Sequence, residues 1–229
     1  MKTAMKQNSS SSEWFIPAGL VLLSLVPVVA GAVRIADLGG SAGITPDNAR
    51  FFASPLPVVL HILSVSIYAL LGAFQFAPGF RRSRPVWHRM AGRVLIPSGF
   101  VVALTGLWMT QFYSWPKYDG TVLYGMRLVV GFSMTLFLLL GVLAIQKRNF
   151  AQHGNWMTRA YAIGLGAGTQ VFTHIPLIVL SDLRSEPTRA LCMGAGWVIN
   201  LAVAEWLIRR RRERANRRFA ISSSGVHPS

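Results

Sequence analysis

The sequence predicts an all-α, polytopic membrane bundle of six transmembrane helices with both termini cytoplasmic, and three observations predict it. Hydrophobic residues make up 52% of 229 positions, charged residues only 14%, and mean hydropathy is +0.42, which is not the composition of a soluble domain. Six apolar windows, near 14–33, 55–77, 92–113, 122–145, 159–180 and 189–208, each supply the roughly 20 helical residues that cross about 30 Å of hydrocarbon. Cations gather on alternate connections. Lipid offers no water to backbone amides and the period-2 alternation of a barrel is absent, so the windows read as helices.

Residues 1–13, with Ser9 to Ser12, read as a disordered cytoplasmic N-terminus. Lys2, Lys6, the first apolar window and Ala30-Gly31-Ala32 have the outline of a secretion signal. An apolar stretch of about 20 residues exceeds the 7 to 15 of a signal core, so it reads as span one of a transmembrane domain over 14–208. Span two carries His61, Ser64, Tyr68, Gly72 and Gln75 at spacings of three or four. That spacing makes one polar stripe, which must look into the bundle. The turn RRSRPVWHRMAGR, residues 81–93, packs five arginines and His88 between spans two and three.

Span three places Gly92, Gly99 and Gly106 seven apart, and span five places Gly164 and Gly168 four apart. Both read as patches for close helix approach. GLGAG at 164–168 lacks the GxGxxG spacing and a preceding strand, so it is no dinucleotide site. Span four brings Tyr124 and Arg127, and span five a second polar strip of Thr169, Gln170, Thr173 and His174. Span six contains Glu205, one turn from Arg209, which suggests snorkelling or pairing at the inner surface. Residues 209–229 read as a basic cytoplasmic tail whose end, ISSSGVHPS, is disordered and leaves His227 without a partner.

Orientation follows from charge. An N-terminus inside puts seventeen of the 23 Lys and Arg residues on the cytoplasmic side, and leaves Arg34, Arg50, Lys117, Arg127, Arg184 and Arg189 outside. The net charge of +15 sits at helix ends rather than on a soluble binding fold, so nucleic acid is set aside. Anionic lipid headgroups are the nearer partner, met by Arg81, Arg82, Arg84, Arg89, Arg93 and Arg159. The expected location is the bacterial inner membrane.

Cys192 is the single cysteine, so no disulfide, CxxCH haem attachment or cysteine-rich metal site can form within the chain. No Ser-His-Asp grouping, HExxH or paired carboxylate lies in the spans, which sets aside hydrolytic chemistry. The candidate site is the polar interior: Tyr68, Gln75, Arg127 and Gln170, with the histidines. His61 and His174 each fall about 9 Å inside the outer boundary at roughly 1.5 Å per residue, a matched level on antiparallel helices. Such a pair suits a b-type haem or a metal ion, and His88 with His153 forms a second pair toward the inner face.

Three function classes follow. A structural or lipid-interacting protein needs the fewest assumptions. A haem- or metal-binding redox protein uses the paired histidines. A transporter or anion-binding protein uses the polar strips, with Arg127 attracting an anion. Neither a substrate nor a catalytic residue is legible.

His61 followed by YALLGAFQF, then RRSRPVWHRMAGR, then HGNWMTRAYAIG, resembles the bacterial predicted membrane proteins grouped as domain of unknown function 2306. The matching positions are His61, Gln75, Phe76, His88, Arg89, Gly92, Arg93, His153, Trp156, Met157 and Arg159. The resemblance covers most of residues 55–180 and implies a helical membrane fold, adding weight to His61, His88 and His153. It implies no reaction. Many relatives carry an arginine where this chain has GTQVFTH, a departure that falls on His174.

Overall fold

A backbone in contact with acyl chains must bond to itself, and the computed structural model answers with helices and turns and no strand among the residues it describes, 14–40 and 43–224. The N-terminal segment 1–13 and His227 lie outside the described residues. Helices run over α1 Phe15–Gly39, α2 Ala49–Ala53, α3 Pro55–Ala73, α4 Pro78–Ser83, α5 Pro85–Phe112 and α6 Thr121–Gln146. The remainder are α7 Phe150–Gly164, α8 Gly166–Thr173, α9 Ile175–Val179 and α10 Glu186–Ser224. Prolines open α3, α4 and α5, where their missing N–H costs nothing and their fixed φ suits the first turn.

Among the described residues, five helices are long and apolar enough to cross a membrane: Phe15–Gly39, Pro55–Phe76, Pro85–Phe112, Thr121–Gln146 and Glu186–Arg217. On α6, Phe132, Leu136, Leu139 and Leu143 form an exposed apolar ridge, the pattern of a face solvated by lipid. The basic segment after residue 208 is not an irregular tail. α10 carries its helix through the arginines as far as Ser224, so Ile221 to Ser224 are helical.

The expected fifth span is broken. Residues 159–180 divide into α7, α8 and α9, with interruptions at Leu165 and His174. Glycines at 164, 166 and 168 remove side-chain support from the first break. Pro176 has no N–H with which to continue the ladder at the second. The pieces still run antiparallel to α10, as the bonds between them show. Thr169 Oγ1 donates to Asn200 Oδ1 (2.6 Å), Gln170 Nε2 to the Met193 carbonyl (3.0 Å), and Thr173 Oγ1 to the Cys192 carbonyl (2.7 Å). Asn200 Nδ2 donates in turn to the Ala162 carbonyl (3.1 Å), so one amide grips the chain on both sides of the Leu165 break. The Asn200 amide thereby satisfies a carbonyl next to the break, and the other bonds hold the pieces against α10.

Helices α3, α5, α6 and α7 pack in series, α8 returns to α1, and α1 packs on α3, so the series closes around a common interior. Two tyrosines fill its centre. Tyr161 is 5% exposed and donates its hydroxyl to the Ala69 carbonyl (2.6 Å), and the Tyr68 ring lies 5.7 Å from it. Glycines make room for them: a Cβ on Gly72 would strike the Tyr161 ring, and one on Gly99 or Gly164 would come within 2.8 Å of Tyr68. At Gly168 the obstacle is backbone, because a Cβ there would overlap the Leu23 carbonyl of α1. The expectation fails at Gly92, where a Cβ would meet nothing within 4 Å.

Candidate functional site

The break in the fifth segment opens onto a cavity of about 470 Å³ bounded by α1, α3, α5, α6, α8 and α10. Its depth is apolar, closed by Val65, Val102, Met134 and Leu165. Gly164, Gly168 and Gln170 present the interrupted backbone to it. Non-helical backbone at membrane depth is tolerated where it lines such a space. Arg50, Phe51, Tyr113, Trp115 and Arg127 surround its mouth, beside the loop 113–120.

His61 is the polar group on the α3 wall. Its Nδ1 lies 2.9 Å from Thr105 Oγ1 on α5, and that hydroxyl is 2.5 Å from the Val101 carbonyl. A hydroxyl has one proton, and Thr105 gives it to the carbonyl, so the imidazole Nδ1–H donates to Oγ1. The imidazole is thereby tied to α5. His61→Ala is expected to lower the thermal midpoint in detergent by the equivalent of roughly 1–3 kcal/mol. His227→Ala is expected to leave it unchanged; equal midpoints for the two variants would contradict the assignment.

Charge at the mouth is organised by one carboxylate. Asp119, its side chain 2% exposed, accepts from Arg127 Nη1 (2.5 Å) and from Arg189 Nε (2.5 Å), tying the loop to α6 and α10. Arg50 has no such bond among the described residues; its guanidinium stacks over Phe51 at 4.5 Å. Burial holds Arg50 below its ordinary value, with Asp119 opposing that shift and Arg34 and Arg127 adding to it. Burial likewise pushes the Tyr113 hydroxyl up, while it donates to the Ser54 carbonyl at 2.6 Å. Both charged residues in the cavity lining are cations.

The predicted residues divide accordingly. His61, Arg127 and Gln170 come together on the cavity. His174 does not join them, because its Nδ1 lies against the Gln170 carbonyl of its own helix (2.8 Å). Tyr68 sits in the packed core, and Gln75 is at the opposite end with its Nε2 buried and unbonded. Paired ligation by His61 and His174 at matched depth therefore has no support, and no group of three or more His, Cys, Asp or Glu residues gathers among the described residues.

At the arginine-rich end, His88 lies in the fields of Arg81, His153 and Arg89. That surrounding favours an anion over a metal cation. Arg81, Arg82, Arg84, Arg89 and Arg93 are exposed, as headgroup contacts require. Arg159 departs from that group. Its Nε and Nη2 donate to the two oxygens of Glu205 (2.5 and 2.9 Å) and its guanidinium covers Trp156 at 4.6 Å. Glu205 thus pairs across helices rather than with Arg209 one turn on.

HGNWMTR is legible as a clamp. His153 Nδ1 lies 2.9 Å from the Gly141 carbonyl and donates to it, Trp156 stacks on Phe137, Met157 packs against Gly141, and Arg159 holds Glu205. About two turns of α7 are fastened to α6 and α10. Asp119 and Asn200 were not among the residues singled out from sequence. Asn200, a lone amide inside an apolar span, carried a usable signal; Asp119, in a polar loop, carried none.

A family model described as "Predicted membrane protein (DUF2306)" matches residues 58–208. No curated protein and no solved structure matches the chain. The matched region includes the cavity walls from His61 to Trp197 and the HGNWMTR clamp.

Proposed function

We propose, from the premise that this chain belongs to the predicted membrane protein family DUF2306, that it is a multi-pass protein of the bacterial inner membrane that binds a lipid-like anion between its helices. Family membership accounts for the membrane fold and is silent on the ligand. The acyl portion occupies the apolar depth between α3, α5 and α6, and the acidic head lies at the mouth beside Arg50 and Arg127. One observation carries the reading: a cavity of about 470 Å³ has apolar walls and only arginines as its charged lining. Ligand pockets fall in the range of roughly 300–1,000 Å³, mostly apolar with a few placed polar groups. The interrupted backbone at Gly164 to Gly168 supports it further, since broken helices recur where membrane proteins hold ligands.

In this reading the segment 150–179 also crosses, as the fifth of six spans, and both termini are cytoplasmic, on the strength of seventeen cations against six. Arg50 is the residue to test, because it holds no carboxylate whose loss would unsettle the fold. In detergent, Arg50→Gln is expected to weaken binding of a long-chain fatty acid about tenfold, and to leave the fatty alcohol of equal length unchanged. Equal wild-type affinity for acid and alcohol would refute recognition of the head.

A further inference from the structure

The arginine-rich end, opposite the mouth of the cavity, holds a second grouping independent of the first. Four elements converge there: α4 brings Arg81, α5 His88, α7 His153 and Thr158, and α10 Arg211. His88 lies in the fields of Arg81, His153 and Arg89, and Arg211 in the field of Arg81. Arg211 Nη1 donates to Thr158 Oγ1 at 3.3 Å, and Thr158 is itself buried. The Thr158 hydroxyl donates in turn to the Gly154 carbonyl (2.7 Å).

Like charges held this close raise the energy of the fold unless something negative stands among them. Among the described residues, no carboxylate is free to supply it. Glu205 is committed to Arg159 through both oxygens. Glu213 lies two residues beyond Arg211, about 200° around the helix, and so faces away from Arg81. Meanwhile His88 Nδ1 is buried with no hydrogen-bond partner among the described residues. A buried donor or acceptor left open costs free energy that a bound group would recover. His153 is not equally available, because its Nδ1 is spent on the Gly141 carbonyl.

We infer that Arg81, His88 and Arg211 form a receptor for a phosphate group, with His153 and Arg89 reinforcing its positive field. Guanidinium forks match phosphate oxygens and an imidazole N–H supplies a further donor. The phosphate belongs either to the headgroup of an anionic phospholipid or to a water-soluble phosphate compound, and the same grouping recognises both.

The test uses the full chain purified in mild detergent, with bound phospholipid counted by native mass spectrometry after titration with phosphatidylglycerol, and with inorganic phosphate as competitor. Wild-type protein is expected to retain phosphatidylglycerol about tenfold more tightly than Arg81→Gln, Arg211→Gln or His88→Ala. Arg212→Gln and Arg214→Gln, outside the grouping on the same helix, are expected to match wild type. Retention that millimolar phosphate does not displace identifies the lipid as the source. Displacement by phosphate, or phosphate binding without lipid, identifies the soluble compound. Equal losses in all five variants would reduce the effect to general surface charge and overturn the site, as would wild-type protein that holds neither ligand. Fatty-acid binding at the Arg50 mouth provides the folding control, since a variant that keeps it has kept the bundle.

Discussion

Asp119→Asn is expected to destabilise the protein by roughly 3–5 kcal/mol, the usual cost of removing one partner from a buried ion pair. The carboxylate is 2% exposed and each oxygen has its own guanidinium at 2.5 Å, Arg127 from α6 and Arg189 from α10. The amide keeps the shape but has no charge, and its NH2 group faces a cation it cannot accept from. Two half-buried guanidiniums are then left beside Arg50 with nothing between them. Asp37→Asn is the control: its pair with Arg34 is 3.7 Å long with both side chains more than a third exposed, a geometry worth about 0–1 kcal/mol. Thermal unfolding in detergent should separate the two variants clearly; coincident midpoints would show that Asp119 does not bind the loop to the bundle.

Gly168→Ala is expected to be the most disruptive single-methyl change, costing about 1–3 kcal/mol or more. In an ordinary helix the same change stabilises, by up to about 1 kcal/mol. The sign reverses because the new methyl would meet the Leu23 carbonyl of α1, and a backbone atom has no rotamer into which to retreat. α8 would have to move off α1, opening the ring of helices next to the cavity. Gly92→Ala, on α5 with open space around it, should be neutral or stabilising. A similar loss in both variants would mean that helix propensity, not the α1–α8 approach, governs these positions.

How far each feature was legible depends on whether its cause is local. Five long helices follow from runs of apolar residues alone, because a backbone in lipid has one way to satisfy itself. The breaks at Leu165 and His174 were partly written in GLGAG and Pro176. A continuous helix remained equally consistent with hydropathy, which counts apolar residues and does not register lost hydrogen bonds. The histidines show the limit more sharply. Depth along the bilayer normal put His61 and His174 at one level, yet the helix turns Gln170 toward the cavity and leaves His174 off it, against the Gln170 carbonyl. Depth is a sum of residues, whereas rotation is decided by what packs on the other side.

By itself, the sequence determined that this protein is helical, that it belongs in a membrane, and which connections are rich in arginine. These are consequences of solvation, which each residue undergoes largely independently of distant ones. Tertiary structure alone decided that Asp119 joins Arg127 to Arg189, that Arg159 takes Glu205, that Asn200 spans the broken helix, and that a cavity remains between His61 and Trp197. Those pairings join residues from 8 to 70 positions apart. They depend on the angles at which helices meet, and side chains on several helices settle those angles together.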